Sequence, residues 1–380
     1  MSDRSLSILM VDASLFTAPY DEGITKGLEE NGAVVTWACR DPRPNEEYQL
    51  IRKRQFAGIF YPGLVGSAKN AGLKAKIIKA ISHTVSLVRL RYSIIEIRPS
   101  IVHLQWTVFP LTDIICIYGI KRVAPVVLTI HDTIPFNGNP TSKLQTLGLS
   151  RVMRSVDHII VHTEHAANTI RKIVKNHTPV SVISHGPLGN QKSLIRNPTF
   201  VNSRWTVVMF GKIQAYKGVD ILVEAITLID PEIRRGIKII VAGEAFIEME
   251  SILKRSQVLG IGECIDFRLW RHSDSEVENL LLEADAFVFP YRQIDASGVL
   301  YLVAAYRKWI IASNIGIFHE LVEENKSGSL VQPEDAHALS KALAESIDKK
   351  PKVELPIESW EQIGKKTIEL YKRIIKSRSK

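Results

Sequence analysis

The chain has 380 residues, of which 45% are hydrophobic and 23% are charged. Its length favours two domains over a single core, and its composition excludes a disordered chain. The formal net charge of +9 predicts an anionic partner, which is a nucleic acid, a membrane surface or a phosphorylated substrate.

Short apolar runs rich in β-branched residues alternate with helical patterns from the N-terminus onward. Such runs are typical of a parallel sheet covered on both faces, and the stretches between them are long enough for crossover helices. The predicted strands of the first half are Ser7–Val11, Val34–Trp37, Gly58–Tyr61, Ile101–Leu104, Val126–Ile130, His158–His162 and Val180–Ile183. The pattern predicts a doubly wound α/β domain over residues 1–190.

One hydrophobic stretch of this half, Ile101–Ile120, has the length of a membrane span. It contains His103, Gln105, Pro110 and Asp113, and an acidic residue at mid-bilayer costs about 2.5 kcal/mol or more. We therefore expect a strand, a loop and the start of a helix.

Cysteine usage and the N-terminal sequence predict the compartment. The cysteines Cys39, Cys116 and Cys264 are far apart and form no CxxC pair, so neither a disulfide framework nor a structural zinc site is expected. The first residues lead directly into a strand-like run, without a secretory hydrophobic region. We expect a cytoplasmic protein whose cysteines are buried in the core.

The sequence between the second and fourth predicted strands mixes basic and apolar residues. The basic residues are Arg52–Arg54, Lys74, Lys76, Lys79, Arg89 and Arg91, and the apolar ones are Ile77, Ile78, Ile81, Val85 and Val88. The apolar set repeats at three and four positions, which predicts an amphipathic basic helix. We expect its apolar stripe to pack on the sheet and its basic flank to contact an anionic membrane. Nucleic acid is not expected, because aromatic residues make up only 7% and no RRM, KH or zinc pattern is present.

His131 follows the predicted strand Val126–Ile130, at the sheet edge where α/β proteins place function. A histidine there can donate a hydrogen bond to a sugar hydroxyl or a phosphate. The alternative is a structural histidine beside a capping Asp132.

Other polar residues lie at the ends of neighbouring strands. His103 and His185 are further candidates for ligand contacts at this edge, whereas His162 lies in an apolar run and is expected in the core. The loop after the first strand contains Tyr20 and Asp21, which could also shape a site there.

A polar stretch, Gly189–Asn202, precedes a second α/β series and is expected to be a linker. The strands of this series are Thr206–Phe210, Ile237–Val241, Cys264–Phe267, Ala286–Phe289 and Trp309–Ala312. They predict a second domain over residues 203–355, and residues 356–380 are predicted to form one helix. Two consecutive domains of one class imply a cleft between them, where ligands usually bind.

The segment Val207–Asp220 predicts a strand, a loop and a helix start. Gly211 at the strand exit allows a ligand to approach the backbone closely. Lys212 and Lys217, five positions apart, can bind a diphosphate together with the N–H groups of the helix start. A solvated basic turn is the alternative.

A second segment, Ala284–Leu300, repeats this strand, loop and helix order, and Ile310–Val322 followed by Gly328–Val331 forms a third. The candidate groups of the second segment are Arg292, Asp295, Ser297, Gly298 and Val299. The serine can cap the helix, and the two residues after it can present N–H groups to a phosphate.

In this order and spacing, the three segments resemble the donor domain of the GT-B glycosyltransferases of family 4, the glycosyl transferases group 1. The likeness is strong over Val207–Val331 and looser in the first half. It implies that Lys212 and Lys217 hold the donor diphosphate and that Ser297–Val299 supply backbone contacts. The residues that it places near the nucleoside are Gly243, Glu244, Trp270 and Arg271, with core packing as the alternative for the tryptophan.

The resemblance makes His131 and Asp295 the catalytic candidates, both near the transferred sugar. It places Tyr20, Asp21, His103 and His185 on the acceptor side. One departure concerns a pair of glutamates that many members carry eight positions apart. Here Asp295 and Val303 occupy those positions. Because a valine cannot bind the ribose hydroxyls, another group must do so or the donor site differs.

The resemblance implies two Rossmann-like domains facing a cleft, a C-terminal helix over residues 356–380 that crosses back to the first domain, and a retaining hexosyltransferase activity. A nucleotide-diphosphate sugar would be the donor, and a lipid-linked or other saccharide would be the acceptor, in bacterial surface-polysaccharide or glycolipid synthesis. No metal or further cofactor is expected, since the sequence has no Asp-x-Asp motif. The basic helix would hold the protein peripherally at the inner face of the membrane. The alternatives are a nucleotide-sugar epimerase of the same fold and, because of Val303, a non-catalytic partner protein.

Overall fold

The computed structural model describes residues 5–41, 56–62, 73–133, 147–189 and 204–378. Within these ranges the chain forms two compact units, each built on its own parallel β-sheet. The predicted α/β class with two Rossmann-like domains is therefore confirmed. The basic triplet Arg52–Arg54 and residues 190–202 of the predicted linker lie outside the described residues.

The first unit contains a seven-stranded sheet in the order β3-β2-β1-β4-β5-β6-β7. Its strands are β1 (Ser7–Asp12), β2 (Val34–Arg40), β3 (Phe56–Phe60), β4 (Ile101–Leu104), β5 (Val126–Ile130), β6 (His158–Val161) and β7 (Val180–Val182). Its helices include α1 (Ala18–Glu30), α2 (Leu73–Ile97), α3 (Pro110–Ile120), α4 (Leu149–Ser155) and α5 (Glu164–Val174). The central strands β4, β5 and β6 are wholly buried, which explains why their sequences are continuous apolar runs.

The second unit contains a six-stranded sheet in the order β10-β9-β8-β11-β12-β13. Its strands are β8 (Trp205–Phe210), β9 (Ile237–Ala242), β10 (Ile265–Arg268), β11 (Ala286–Phe289), β12 (Trp309–Ser313) and β13 (Gly328–Val331). Its helices are α6 (Val219–Thr227), α7 (Pro231–Arg235), α8 (Glu250–Val258), α9 (Asp274–Glu283), α10 (Gly298–Val303), α11 (Gly316–Leu321) and α12 (Ala336–Glu345). The sequence does not predict β13, because it is a short, partly exposed edge strand that begins with a glycine.

The last helix, α13 (Trp360–Arg378), belongs to the first unit and packs against α1. Its buried apolar residues are Ile363, Ile368, Leu370, Tyr371 and Ile374. The indole N–H of Trp360 donates to the carbonyl oxygen of Pro187 at 2.8 Å, which fixes the start of the helix. The end of the chain therefore completes the core of the first unit.

The hydrophobic stretch Ile101–Ile120 forms β4 and α3 with a loop between them, as predicted. Among the described helices, none is long and apolar enough to cross a membrane. The three cysteines are buried and free, as expected.

The orientation of α2 differs from the expectation that its apolar stripe packs on the sheet. The predicted stripe is exposed: the exposed fractions are 51% for Ile77, 51% for Ile78, 60% for Ile81, 48% for Val85 and 53% for Val88. The buried face instead contains two polar residues, His83 and Ser86, together with Leu90 and Ile94.

Hydrogen bonds explain this inverted orientation. His83 lies 2.7 Å from Asp113 on α3 and 2.8 Å from the hydroxyl of Tyr61 after β3, and Ser86 accepts the N–H of Tyr61 at 3.3 Å. The second carboxylate oxygen of Asp113 accepts the N–H of Val108 at 2.9 Å. Because buried polar groups are costly unless they are paired, these bonds fix which face of α2 points inward.

Candidate functional site

The exits of β8 and β9 are joined backbone to backbone in the second unit. The N–H of Gly211 donates to the carbonyl of Ala242 at 3.0 Å, and that of Ile213 donates to Glu244 at 2.9 Å. Gly243 has a φ of +140°, and a Cβ placed on it would lie 2.1 Å from the carbonyl oxygen of Gly211. Only glycine fits this contact, so the two predicted glycines define the floor of the site.

Replacing Gly243 with alanine should lower the free energy of unfolding by about 2–5 kcal/mol, because strain at positive φ adds to the clash with Gly211. Chemical denaturation measures this change. Gly260→Ala is the matched control, since Gly260 also has a positive φ of +64° but its Cβ would meet nothing within 4 Å. A loss no larger than that of the control would contradict the proposed backbone contact.

Lys217 ends a short 3-10 turn, Ala215–Lys217, and is almost wholly buried. Its ammonium lies 2.8 Å from the position of a Cβ on Gly211, and the Cγ2 of Val299 lies 3.1 Å from the same position. The ammonium also donates to the carbonyl of Phe210 at 3.4 Å and lies 5.3 Å from the ring centre of Tyr291. Gly211 and Lys217, which lie close together in the sequence, therefore meet Val299, which is distant from both, at one point.

Burial and, to a smaller extent, the nearby charge of Lys212 together lower the pKa of Lys217 to about 7. An amine with this pKa is only partly protonated at neutral pH. A ligand with negative charge at this point would restore the proton. The described groups around Lys217 thus favour an anionic ligand, and we call Gly211, Lys212, Lys217 and Ser297–Val299 the lysine site.

Lys212 is exposed at the mouth of the site, with its ammonium 5.8 Å from the ring centre of Phe246. Glu244 is partly buried after β9, and Arg271 is exposed after β10. Trp270 is 49% exposed and stacks on His272, with ring centres 5.0 Å apart. The alternative of core packing for Trp270 is therefore not supported, because half of its surface faces solvent.

The loop between β11 and α10 carries the second group of candidates. Ser297 accepts the N–H of Leu300 at 3.3 Å, so the predicted helix cap is present. Gly298 and Val299 form the first turn of α10, and Asp295 is buried just before it. Val303 is wholly buried, so its side chain belongs to the core.

Arg292 is held by side chains of its own unit. Its guanidinium donates to both carboxylate oxygens of Asp220, at 3.0 and 2.6 Å, and to Glu334 at 3.0 Å. It also donates to the carbonyl of Ala215 at 2.8 Å. The arginine therefore ties the β11 loop to the turn that carries Lys217.

The first unit gathers three of the predicted histidines around one tyrosine. The ring centre of Tyr20 lies 4.9 Å from that of His131, 5.1 Å from that of His162 and 4.9 Å from that of His185. Trp106 stacks on His131 at 5.1 Å with an interplanar angle of 15°. We call His131, His162, His185 and Tyr20 the histidine cluster.

The histidine cluster is uncharged at neutral pH. Burial lowers the pKa of His185 to about 3 and that of His162 to about 4. It also lowers the pKa of His131 well below the usual range, and the neighbouring histidines add to this effect. His162 is buried as predicted, but the sequence does not predict its contact with His131.

The remaining candidates of the first unit are buried within it. Tyr20 and Asp21 lie in the first turn of α1 and not in a loop, and both are buried. Burial and then the adjacent Asp12 raise the pKa of Asp21 well above its usual range. His103 lies 2.7 Å from the hydroxyl of Thr129 and 2.5 Å from that of Tyr371.

Asp12, which ends β1, is a residue that the sequence analysis missed. Its carboxylate accepts the N–H groups of Ser14, Phe16 and Thr17, at 3.1, 2.6 and 3.3 Å. It thereby shapes the loop before α1. An acidic residue directly after an apolar strand is the signal that would have identified it. No group of three or more acidic, histidine or cysteine residues in the described ranges is arranged to hold a metal ion.

Comparisons with known proteins match both units. The family described as Glycosyl transferases group 1 matches residues 190–367, and Glycosyltransferase Family 4 matches residues 22–186. No curated protein sequence matches the chain.

Solved structures similar to this chain share its fold at low identity. HepE of Anabaena in complex with UDP is 15% identical, with a TM-score of 0.65 over 98% of this chain and 100% of that one. Sucrose-phosphate synthase of Thermosynechococcus elongatus is 16% identical, with a TM-score of 0.67 over 98% and 100%. The lipopolysaccharide outer core galactosyltransferase WaaB is 13% identical, with a TM-score of 0.65 over 97% and 98%.

These similarities show that the chain has the GT-B fold. The two family matches lie in sequence order and together cover most of the chain. The chain belongs to the GT-B glycosyltransferases related to family 4, as the resemblance predicts.

Proposed function

We propose that the protein is a retaining hexosyltransferase that transfers a sugar from a nucleotide-diphosphate sugar to a lipid-linked saccharide in surface-polysaccharide or glycolipid synthesis. The observation that carries this proposal is the buried Lys217, whose ammonium meets Gly211 and Val299 at one point. A donor diphosphate supplies the negative charge that would keep this buried amine protonated. HepE of Anabaena, which shares the fold, has been solved with UDP-glucose.

In the proposed mechanism the lysine site stabilises the departing diphosphate. Lys217 gives a partly desolvated positive charge, and Lys212 gives a second one at the mouth of the site. Charge stabilisation in a site of low dielectric is typically the largest single contribution to catalysis. The N–H groups of Gly298 and Val299 would contact the same phosphates. These residues would compensate the leaving charge without a metal ion or further cofactor.

His131 and Asp295 are the residues that we assign to the transferred sugar. Each follows a parallel strand of its own unit: His131 lies directly after β5, and Asp295 lies in the loop between β11 and α10. Both are buried, which favours fixed positions for their polar atoms. Hydrogen bonds from such groups to sugar hydroxyls would orient the donor for transfer.

We assign α2 to an anionic membrane surface, which would place the protein at the inner face of the membrane. Five exposed apolar residues, the stripe Ile77–Val88 described above, lie on the same helix as the exposed basic residues Lys74, Arg89 and Arg91. Soluble monomers rarely expose contiguous apolar surface of this kind. The combination of apolar and basic groups matches the boundary between lipid headgroups and acyl chains. A lipid-linked acceptor is consistent with this position.

The double variant Ile81→Ser/Val88→Ser should bind anionic vesicles about tenfold or more weakly, because it removes two exposed apolar side chains. Co-sedimentation with vesicles of phosphatidylglycerol and phosphatidylcholine measures this affinity. Val258→Ser, which changes a valine of α8 that is 87% exposed, is the control. Equal binding by the double variant and the wild-type protein would rule out α2 as the membrane contact.

Transfer is tested by incubating the full chain with radiolabelled UDP-glucose or ADP-glucose and a bacterial lipid extract. We expect the label to appear in the lipid fraction with one of these donors. Conversion of the donor without any acceptor would support an epimerase, and absence of transfer with all donor sugars would contradict the proposal.

A further inference from the structure

His162 donates a hydrogen bond to the backbone at the end of β7. Its Nδ1 lies 3.0 Å from the carbonyl oxygen of Ile183. A carbonyl oxygen can only accept, so Nδ1 of His162 must carry the proton. With its pKa lowered to about 4, the ring is neutral at pH 7 and its Nε2 is bare.

The bare Nε2 of His162 determines the protonation of His131. The two atoms His162 Nε2 and His131 Nδ1 are 3.1 Å apart. Because an unprotonated nitrogen accepts, Nδ1 of His131 must donate and must therefore carry the proton of that ring. A neutral His131 is left with a bare Nε2.

The third member of this chain is Gln105, whose side-chain oxygen Oε1 is placed 3.1 Å from Nε2 of His131. An oxygen cannot donate to a bare nitrogen, but a half-turn of the amide brings its NH₂ group to the same position. In the placed orientation the amide nitrogen is buried and has no hydrogen-bond partner among the described residues. Both observations favour the orientation in which Gln105 donates to His131.

We propose that His162 is a positioning residue that holds His131 in the Nδ1-protonated tautomer, leaving Nε2 as a hydrogen-bond acceptor. The inference rests on the proposed function in one respect, which is the ligand of His131. A bare Nε2 accepts from a sugar hydroxyl and repels a phosphate oxygen. His131 therefore selects a hydroxyl-bearing group that takes the place of the Gln105 amide.

The tautomer is measured on the full chain with ¹⁵N-labelled histidine, by two-bond nitrogen–proton correlation at pH 7. The His131 signals are identified by their loss in His131→Gln. We expect a protonated Nδ1 and a bare Nε2. In His162→Phe the fraction of this tautomer should fall about tenfold, because a buried N–H loses its acceptor. His162→Gln should restore it, since its amide oxygen can accept from His131.

His158→Phe is the matched control. His158 begins β6, the strand that His162 directly follows, is also buried and bonds to the hydroxyl of Ser181 at 2.9 Å, outside the cluster. Its replacement should leave the His131 signals unchanged. A wild-type His131 protonated at Nε2, or unchanged His131 signals in folded His162→Phe, would overturn the proposal. The wild-type spectrum decides the tautomer even where a variant does not fold, and it needs no substrate, so its result is independent of nucleotide binding.

Discussion

Lys217→Met should lower the rate of sugar transfer by about 10²–10³-fold, because it removes a preorganised charge at the departing diphosphate. Methionine has a similar length and remains compatible with the apolar surroundings of Tyr291 and Val299. The fold should therefore be retained. The transfer rate with the radiolabelled donor, together with a thermal unfolding curve, measures both effects.

Lys308→Met is the control for this substitution. Lys308 is a second lysine of the same unit that is partly buried, and burial lowers its pKa as well. Its replacement removes a charge of the same kind away from the lysine site and should leave transfer unchanged. Transfer by Lys217→Met at the wild-type rate would remove Lys217 from the mechanism.

Binding of a nucleoside diphosphate should weaken as the pH rises above 7, by at most about tenfold per pH unit. The pKa of Lys217 in the free protein is about 7, so above this value the ligand must bind with uptake of a proton. Titration calorimetry with UDP and ADP, in buffers of different ionisation enthalpy, measures this uptake. We expect it to approach one proton at alkaline pH and to be absent in Lys217→Met. A pH-independent affinity would contradict the assignment.

The same pKa shift makes the stability of the free protein rise with pH, whereas it makes nucleotide binding weaken with pH. The pKa of Lys217 is lowered from 10.5 in the unfolded chain to about 7, so the unfolded state binds more protons between these values. The contribution of this residue to stability therefore increases as the pH rises through that window. Below pH 7 the lysine is charged in both states, and the cost of burying that charge in the folded state is greatest. The diphosphate that offsets this cost is the same ligand that the mechanism requires.

The sequence predicts the lysine site because the residues within each of its two segments lie close together in the chain. Gly211, Lys212 and Lys217 lie within seven positions at a strand exit, and Ser297 precedes a helix start. Strand exits of parallel sheets are where such groups converge, so order and spacing are sufficient. The burial of Lys217 is not predictable in this way, since it depends on β11 and on Tyr291.

The orientation of α2 shows where periodicity fails. The apolar spacing predicts the helix, but it does not show which face is buried. That choice depends on His83, whose partners Tyr61 and Asp113 lie 22 and 30 positions away in the chain. Long-range pairing of polar groups overrides the hydrophobic pattern here. The contact of His162 with His131, 31 positions apart, escapes prediction for the same reason.

The most direct test of nucleotide binding at the lysine site is a thermal-shift screen of the wild-type protein and Lys217→Met against UDP, ADP, GDP and their sugars. A ligand present at 100 times its Kd stabilises the native state by about 2.7 kcal/mol. We predict that at least one nucleoside diphosphate raises the melting temperature of the wild-type protein and not that of the variant. Equal stabilisation of both proteins, or of neither by any nucleotide, would contradict a donor site at Lys217.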